Sequence, residues 1–159
     1  MPTYAAQTEV TPDRSRAEVE HTLQRYGATG FLYGWKNDQA VLGFEINGRQ
    51  LRFTMALPDR QAREFQTTPT GKQRTSNAAQ EAWEQATRQR WRALALVIKA
   101  KLEAVESGIA TFEEEFLAHI VLPSGQTVGQ WMIPQVEQAY LTGRMPTLLP
   151  QLTAGNAHG

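Results

Sequence analysis

Apolar and polar residues alternate through positions 31–57, and after residue 77 this gives way to apolar spacings of three and four. The alternation is the period of a strand with one buried face. It is broken at Asn37-Asp38 and at Asn47-Gly48. Asn-Gly tolerates the positive φ that a type I′ hairpin turn requires. Two-residue loops at both places pair Ile46 with Arg49, Phe44 with Leu51, Leu42 with Phe53 and Ala40 with Met55. They also pair Trp35 with Ala40, Tyr33 with Leu42 and Phe31 with Phe44. Both registers independently put Phe31, Tyr33, Trp35, Leu42, Phe44, Leu51, Phe53 and Met55 on one face, and a one-residue slip would scatter them. The opposite face carries Leu32, Gly34, Val41, Gly43, Glu45, Gln50, Arg52 and Thr54. It is small and mixed, suited to solvent or to a partner.

Helical spacing appears on both sides of this meander. Ser15-Arg16-Ala17-Glu18 fits a capping box, and Val19, Leu23 and Tyr26 follow on one face, so a first helix is predicted over 16–26, stopped by Gly27. A long helix is predicted from Asn77 to Glu106, with Trp83, Trp91, Leu94, Ile98, Leu102, Val105 and Ile109 as its buried stripe. Thr111-Phe112-Glu113-Glu114 reads as a second capping box, opening a short helix to His119. Thr127 to Gln130 opens a last helix to Leu141, bent or tightened by Pro134 and ended by Gly143. Together these elements predict an α+β fold: a three-stranded antiparallel meander packed under the first and long helices, with C-terminal helices.

Residues 1–13 read as a flexible arm, 14–150 as a single domain and 151–159 as a disordered tail. Within the domain, 58–77 reads as a long polar loop, and Met145 to Pro150 as an extended strap packed back on the body. Such long loops are usually functional or disordered. The N-terminus lacks the basic-then-apolar order of a signal peptide. No run approaches the roughly 20 apolar residues of a membrane span. A soluble, cytoplasmic protein is expected, with no membrane partner.

Composition narrows the chemistry. With no cysteine among 159 residues, disulfides and thiolate metal sites are excluded. The three histidines, His21, His119 and His158, are far apart in sequence, so no histidine metal site and no cofactor are expected. No serine sits in a Gly-x-Ser-x-Gly elbow, and His21 and His119 lack the companions of a catalytic base. Thr70-Gly71-Lys72 is a fragment of a phosphate loop without its remaining residues. Glu113, Glu114 and Glu115 are the one acidic run. A metal-dependent nuclease would use them, but the dipole of a helix N-terminus explains them as well. An enzyme is therefore not expected.

The basic residues form a pattern. Arg88, Arg92 and Lys99 recur at i, i+4 and i+11 on one side of the long helix. Lys72 and Arg74 precede that helix, and Arg52 lies on the last strand. Arg52, Lys72, Arg74, Arg88, Arg92 and Lys99 are thus the candidate nucleic-acid-binding set. Tyr33, Trp35 and Phe53 are candidates to stack bases, against their predicted place in the core. Pairing of Glu84 with Arg88 would instead make the strip an ordinary solvated face. The formal net charge is +0, so attraction to phosphate would need local segregation of charge.

Trp83 to Leu94, Ile98 to Val105, Thr111 to Ala118 and Val128 to Met132 resemble a family of small proteins of unassigned function carried by phages, prophages and mobile elements. The resemblance covers nearly the whole chain and brings no catalytic motif. At the level of topology, the short helix, meander and long basic helix are similar to the core of phage single-strand annealing proteins. That similarity implies a homo-oligomer that holds DNA through its backbone without hydrolysing nucleotides. The zero net charge departs from that pattern. The expectation is a non-catalytic phage or mobile-element protein that binds single-stranded nucleic acid for annealing or protection. The alternative is a protein–protein inhibitor of a host defence protein, and the third reading is a metal-dependent nuclease.

Overall fold

The chain opens with helix α1 (Asp13–Arg25), and a turn at Gly27 leads into strands β1 (Gly30–Lys36), β2 (Gln39–Ile46) and β3 (Arg49–Ala56). These form one antiparallel sheet in the order β1-β2-β3. Its register is the predicted one: Phe31 faces Phe44, Tyr33 faces Leu42 and Leu42 faces Phe53. The Asn47-Gly48 turn has the expected positive φ at both residues, whereas in the Asn37-Asp38 turn only Asn37 does. The computed structural model describes residues 13–145, so residues 1–12 of the predicted arm, the strap beyond Met145 and the tail at 151–159 lie outside the described residues, and Asp13, placed at the end of the arm, belongs to α1. Helix α1 starts at Asp13, which places Ser15 inside its first turn and not at its cap.

The remaining elements are α2 (Arg63–Gln66), α3 (Ser76–Glu106), α4 (Phe112–Phe116) with a 3-10 turn (Leu117–His119), and α5 (Val128–Thr142). Each of the last three helices is capped by a threonine that accepts a backbone amide: Thr75 from Ala78, Thr111 from Glu114 and Thr127 from Gln130. The capping boxes at Thr111 and Thr127 are reciprocal.

One core lies between the aromatic sheet face and the helices. Val19 and Leu23 of α1, Trp91, Ile98 and Leu102 of α3, and Phe112 and Phe116 of α4 pack on Leu42, Phe44, Leu51 and Phe53. Among the described residues no helix lies over the other sheet face: Leu32 is 71% exposed, and Val41 and Gly43 are half-buried. Ile120 bridges Leu51 and the Val121 amide donates to the Gln50 carbonyl, so this short segment covers part of the β3 edge.

Three expectations are corrected. Trp35, assigned to the core face, is 61% exposed, because it sits at the end of the sheet beside the β1–β2 turn. Ile109 is exposed because α3 stops at Glu106 and Gly108 turns the chain in the left-handed region. Residues 58–77 are not a structureless loop. They hold α2, bury Phe65, and close a bridge between Thr67 and Gln73. Trp83 anchors their start, donating its indole N–H to the Pro58 carbonyl at 2.7 Å. The Arg60 guanidinium lies 3.9 Å over the same ring.

Candidate nucleic-acid interface

Helix α3 positions the cations. Its inner side is fixed by Trp91, whose ring meets Tyr33 edge-on at 5.2 Å, and by Thr87, whose buried hydroxyl donates to the Trp83 carbonyl. With that side anchored, Arg88, Arg92 and Lys99 all point outward and are exposed. At 100° per residue they share about 40° of the helix circumference, and Arg88 to Lys99 spans about 17 Å. Leu96 is exposed beside them. The expected Glu84–Arg88 pair does not form, because Glu84 accepts from the Gln80 amide at 2.9 Å. Among the described residues Arg88, Arg92 and Lys99 have no ion pair or hydrogen-bond partner. Glu81, Glu103 and Glu106 bracket the strip on the same side of the helix. Glu106 turns toward Tyr26 and pushes that hydroxyl's pKa up through a hydrogen bond.

The other expected members are placed elsewhere. Arg52 lies on the uncovered sheet face, across the sheet from α3, and is already engaged. Its Nη2 donates to the Gly125 carbonyl at 2.9 Å and to Gln130 Oε1 at 3.0 Å, tying the sheet to the start of α5. Lys72 is exposed on the bridged turn before α3, and Arg74 is half-buried there, its amide bonded to the Gln66 carbonyl. The neighbouring cations Arg90 and Lys101 hold the fold together. Arg90 donates to the Ala56 carbonyl, and Lys101 donates to the carbonyl and the carboxylate of Glu115.

The aromatic residues divide. Phe53 is buried, stacked on His119 at 3.8 Å, and Tyr33 lies against Trp91, so neither presents a ring to a base. Trp35 is the accessible ring. It borders a cavity of about 510 Å³ with Asp38, Asp59, Arg60 and Trp83. Its exposure has no signal in the alternation, which continues unbroken to the turn.

The acidic run is engaged locally. Glu115 pairs with Lys101 at 3.0 Å, and Glu114 closes the Thr111 capping box, whose backbone amide holds its carboxyl below the usual range. Among the described residues no group of three His, Cys, Asp or Glu side chains comes together in a metal-binding arrangement. His119 has its pKa lowered first by burial and then by the Lys101 charge. No described helix is long and apolar enough to cross a membrane. No family model, curated protein or solved structure matches the chain.

Proposed function

We propose that this chain is a non-catalytic accessory protein of a phage or mobile element that holds single-stranded nucleic acid by its phosphates along the outer side of α3. The observation that supports this reading is the arrangement of Arg88, Arg92 and Lys99: exposed, aligned on one rigid helix, and without carboxylate partners among the described residues. Such cations exchange water for phosphate oxygens while the nucleic acid releases its counterions. Contacts of this kind leave bases free, as annealing or strand protection requires. Lys72 and Arg74 extend the path toward the start of α3, whereas Arg52 is left out of it. The test is fluorescence anisotropy of a labelled single-stranded oligonucleotide at low salt. Arg88→Glu with Arg92→Glu should weaken binding at least tenfold without changing the circular dichroism spectrum. Unchanged affinity would remove the reading.

One observation favours the second reading, an inhibitor that covers a host defence protein. Trp35 is a large exposed aromatic beside a cavity with both acidic and basic walls, the residue type that anchors protein interfaces. The net charge of +0 is compatible with such a partner. Nucleic-acid-free co-purification with one host protein, lost in Trp35→Ser, would establish it.

A further inference from the structure

The cavity beside Trp35 has the size and the walls of a site for a flat ring. At about 510 Å³ it falls within the range of about 300–1,000 Å³ found for small-molecule sites. Its walls come from the β1–β2 turn and from residues 57–61, and they are tied together. The Leu57 amide donates to the Asp38 carbonyl at 2.6 Å, and the Trp83 indole holds the Pro58 carbonyl. The Arg60 guanidinium lies over Trp83 and donates to Gln80, while the Arg60 carbonyl accepts from the Gln66 side-chain amide. The site is therefore formed before any ligand arrives. Trp83 is buried with Arg60 over its ring, which leaves the exposed Trp35 to offer a face for stacking.

Polar groups around that ring set the chemistry. The Asp38 carboxylate lines the cavity and has no hydrogen-bond or ion-pair partner among the described residues. Asp59 is engaged through one oxygen, which accepts from the Gln61 amide. An ionised carboxylate only accepts, so Asp38 selects a ligand that donates. Arg60 has one nitrogen bonded to Gln80 and keeps further donors for an acceptor on the same ligand. Guanine matches this set. Its Watson–Crick edge presents two adjacent donors, N1–H and N2–H, which one carboxylate accepts together, and its O6 is an acceptor. Adenine and cytosine set an amino donor beside a ring acceptor, and thymine and uracil set one donor between two carbonyls. None of these gives a carboxylate donors on two neighbouring atoms. Stacking on an aromatic ring with hydrogen bonds to the Watson–Crick edge is a general way of holding unpaired bases. The geometry points to a guanine-binding site, in which the base stacks on Trp35 and donates from N1–H and N2–H to Asp38. It rests on the reading of single-stranded nucleic acid as the ligand and adds base recognition to it. Trp83 precedes Arg88 on α3 by five residues, about 7.5 Å along the axis, so the site lies beside the start of the cationic strip. One base held in this way leaves the others free to pair.

Titration of the full chain with guanosine, inosine and adenosine monophosphates tests this. The readout is the indole N–H resonance of Trp35, identified by its loss in Trp35→Ser. The guanine nucleotide should move that resonance. The inosine nucleotide lacks only the exocyclic amine, and it and the adenine nucleotide should each bind at least fivefold more weakly. Asp38→Asn should bring the guanine nucleotide down to the level of the inosine one. Asp38 is exposed and its carboxylate holds no other group, so the thermal melt of this variant should match the parent. A guanine affinity no greater than that for hypoxanthine or adenine, or no shift with any nucleotide, would overturn the inference. So would a response to N-acetyl-arginine amide and not to the guanine nucleotide, which would make the cavity a seat for a partner protein's side chain. The mononucleotide titration does not require the strip on α3. Loss of strand binding would therefore strike the phosphate reading alone, and a silent Trp35 with strand binding intact would strike the guanine site alone.

Discussion

His119 shows how one residue ties the 3-10 turn to the sheet. Its ring stacks on Phe53 at 3.8 Å, with an interplanar angle of 13°, so the neutral imidazole packs as an aromatic. Burial and the nearby Lys101 charge both oppose protonation, while a hydrogen bond that the ring donates to the Arg52 backbone carbonyl favours it. The folded pKa is therefore below the ordinary value of 6.5. The unfolded chain binds the proton more readily, so stability is complete above pH 6.5 and is lost as the pH falls from there through the folded pKa. Urea unfolding at pH 7.5 and at pH 5.5 should show this loss, and His119→Phe should flatten it. An equal decline in both proteins would place the sensitivity in the carboxylates. Glu114 acts in the same direction at lower pH, since its carboxyl is held below 4.5 and its cap is lost on protonation.

At the scale of elements, α5 depends on a close approach to the 3-10 turn. A Cβ at Gly129 would lie 3.0 Å from the Ala118 carbonyl oxygen and 3.4 Å from its side chain. Gly129→Ala should therefore push the first turn of α5 outward and cost about 1–3 kcal/mol by overpacking, read as a lower urea midpoint. An unchanged midpoint would mean that the turn yields freely. Arg52→Ala should loosen the same junction, because the guanidinium shares Gln130 Oε1 with the Thr127 amide of the capping box. Limited proteolysis near residues 125–130 is the measurement, and cleavage no faster than in the parent would show the tie to be dispensable.

What was legible at this scale follows from range. The meander register and the long helix rest on local periodicity and turn chemistry, and both stand as predicted. Arg52 reaches a partner 73 residues away, and residues 58–77 are ordered by Trp83 and Phe65. Neither pairing has a local signature, so Arg52 reads as a free cation and the segment as a loop. The alignment of Arg88, Arg92 and Lys99 was legible because helix spacing alone creates it. The freedom of Arg88 was not, since Glu84 turns to Gln80 instead.

For the whole molecule, a net charge of +0 makes any binding of nucleic acid a local affair. Long-range attraction cannot bring the strand in, and the acidic residues that bracket α3 limit how far it can track the helix. The number of phosphates engaged should therefore be small and countable. For single strands, the slope of log affinity against log salt is about −0.7 per phosphate contacted. Arg88, Arg92 and Lys99 alone predict a slope of about −2, and adding Lys72 and Arg74 takes it to about −3.5. Lys99→Gln should reduce the slope by about 0.7 whatever the base sequence, because a phosphate contact carries no base information. Lys101→Gln should leave the slope alone and lower stability, since that ammonium is held by Glu115. A slope near zero with binding retained would move the contact away from phosphates, toward bases and the accessible ring of Trp35. A slope that fell equally for Lys99 and Lys101 would show that the molecule responds to total charge and that the strip on α3 has no special standing.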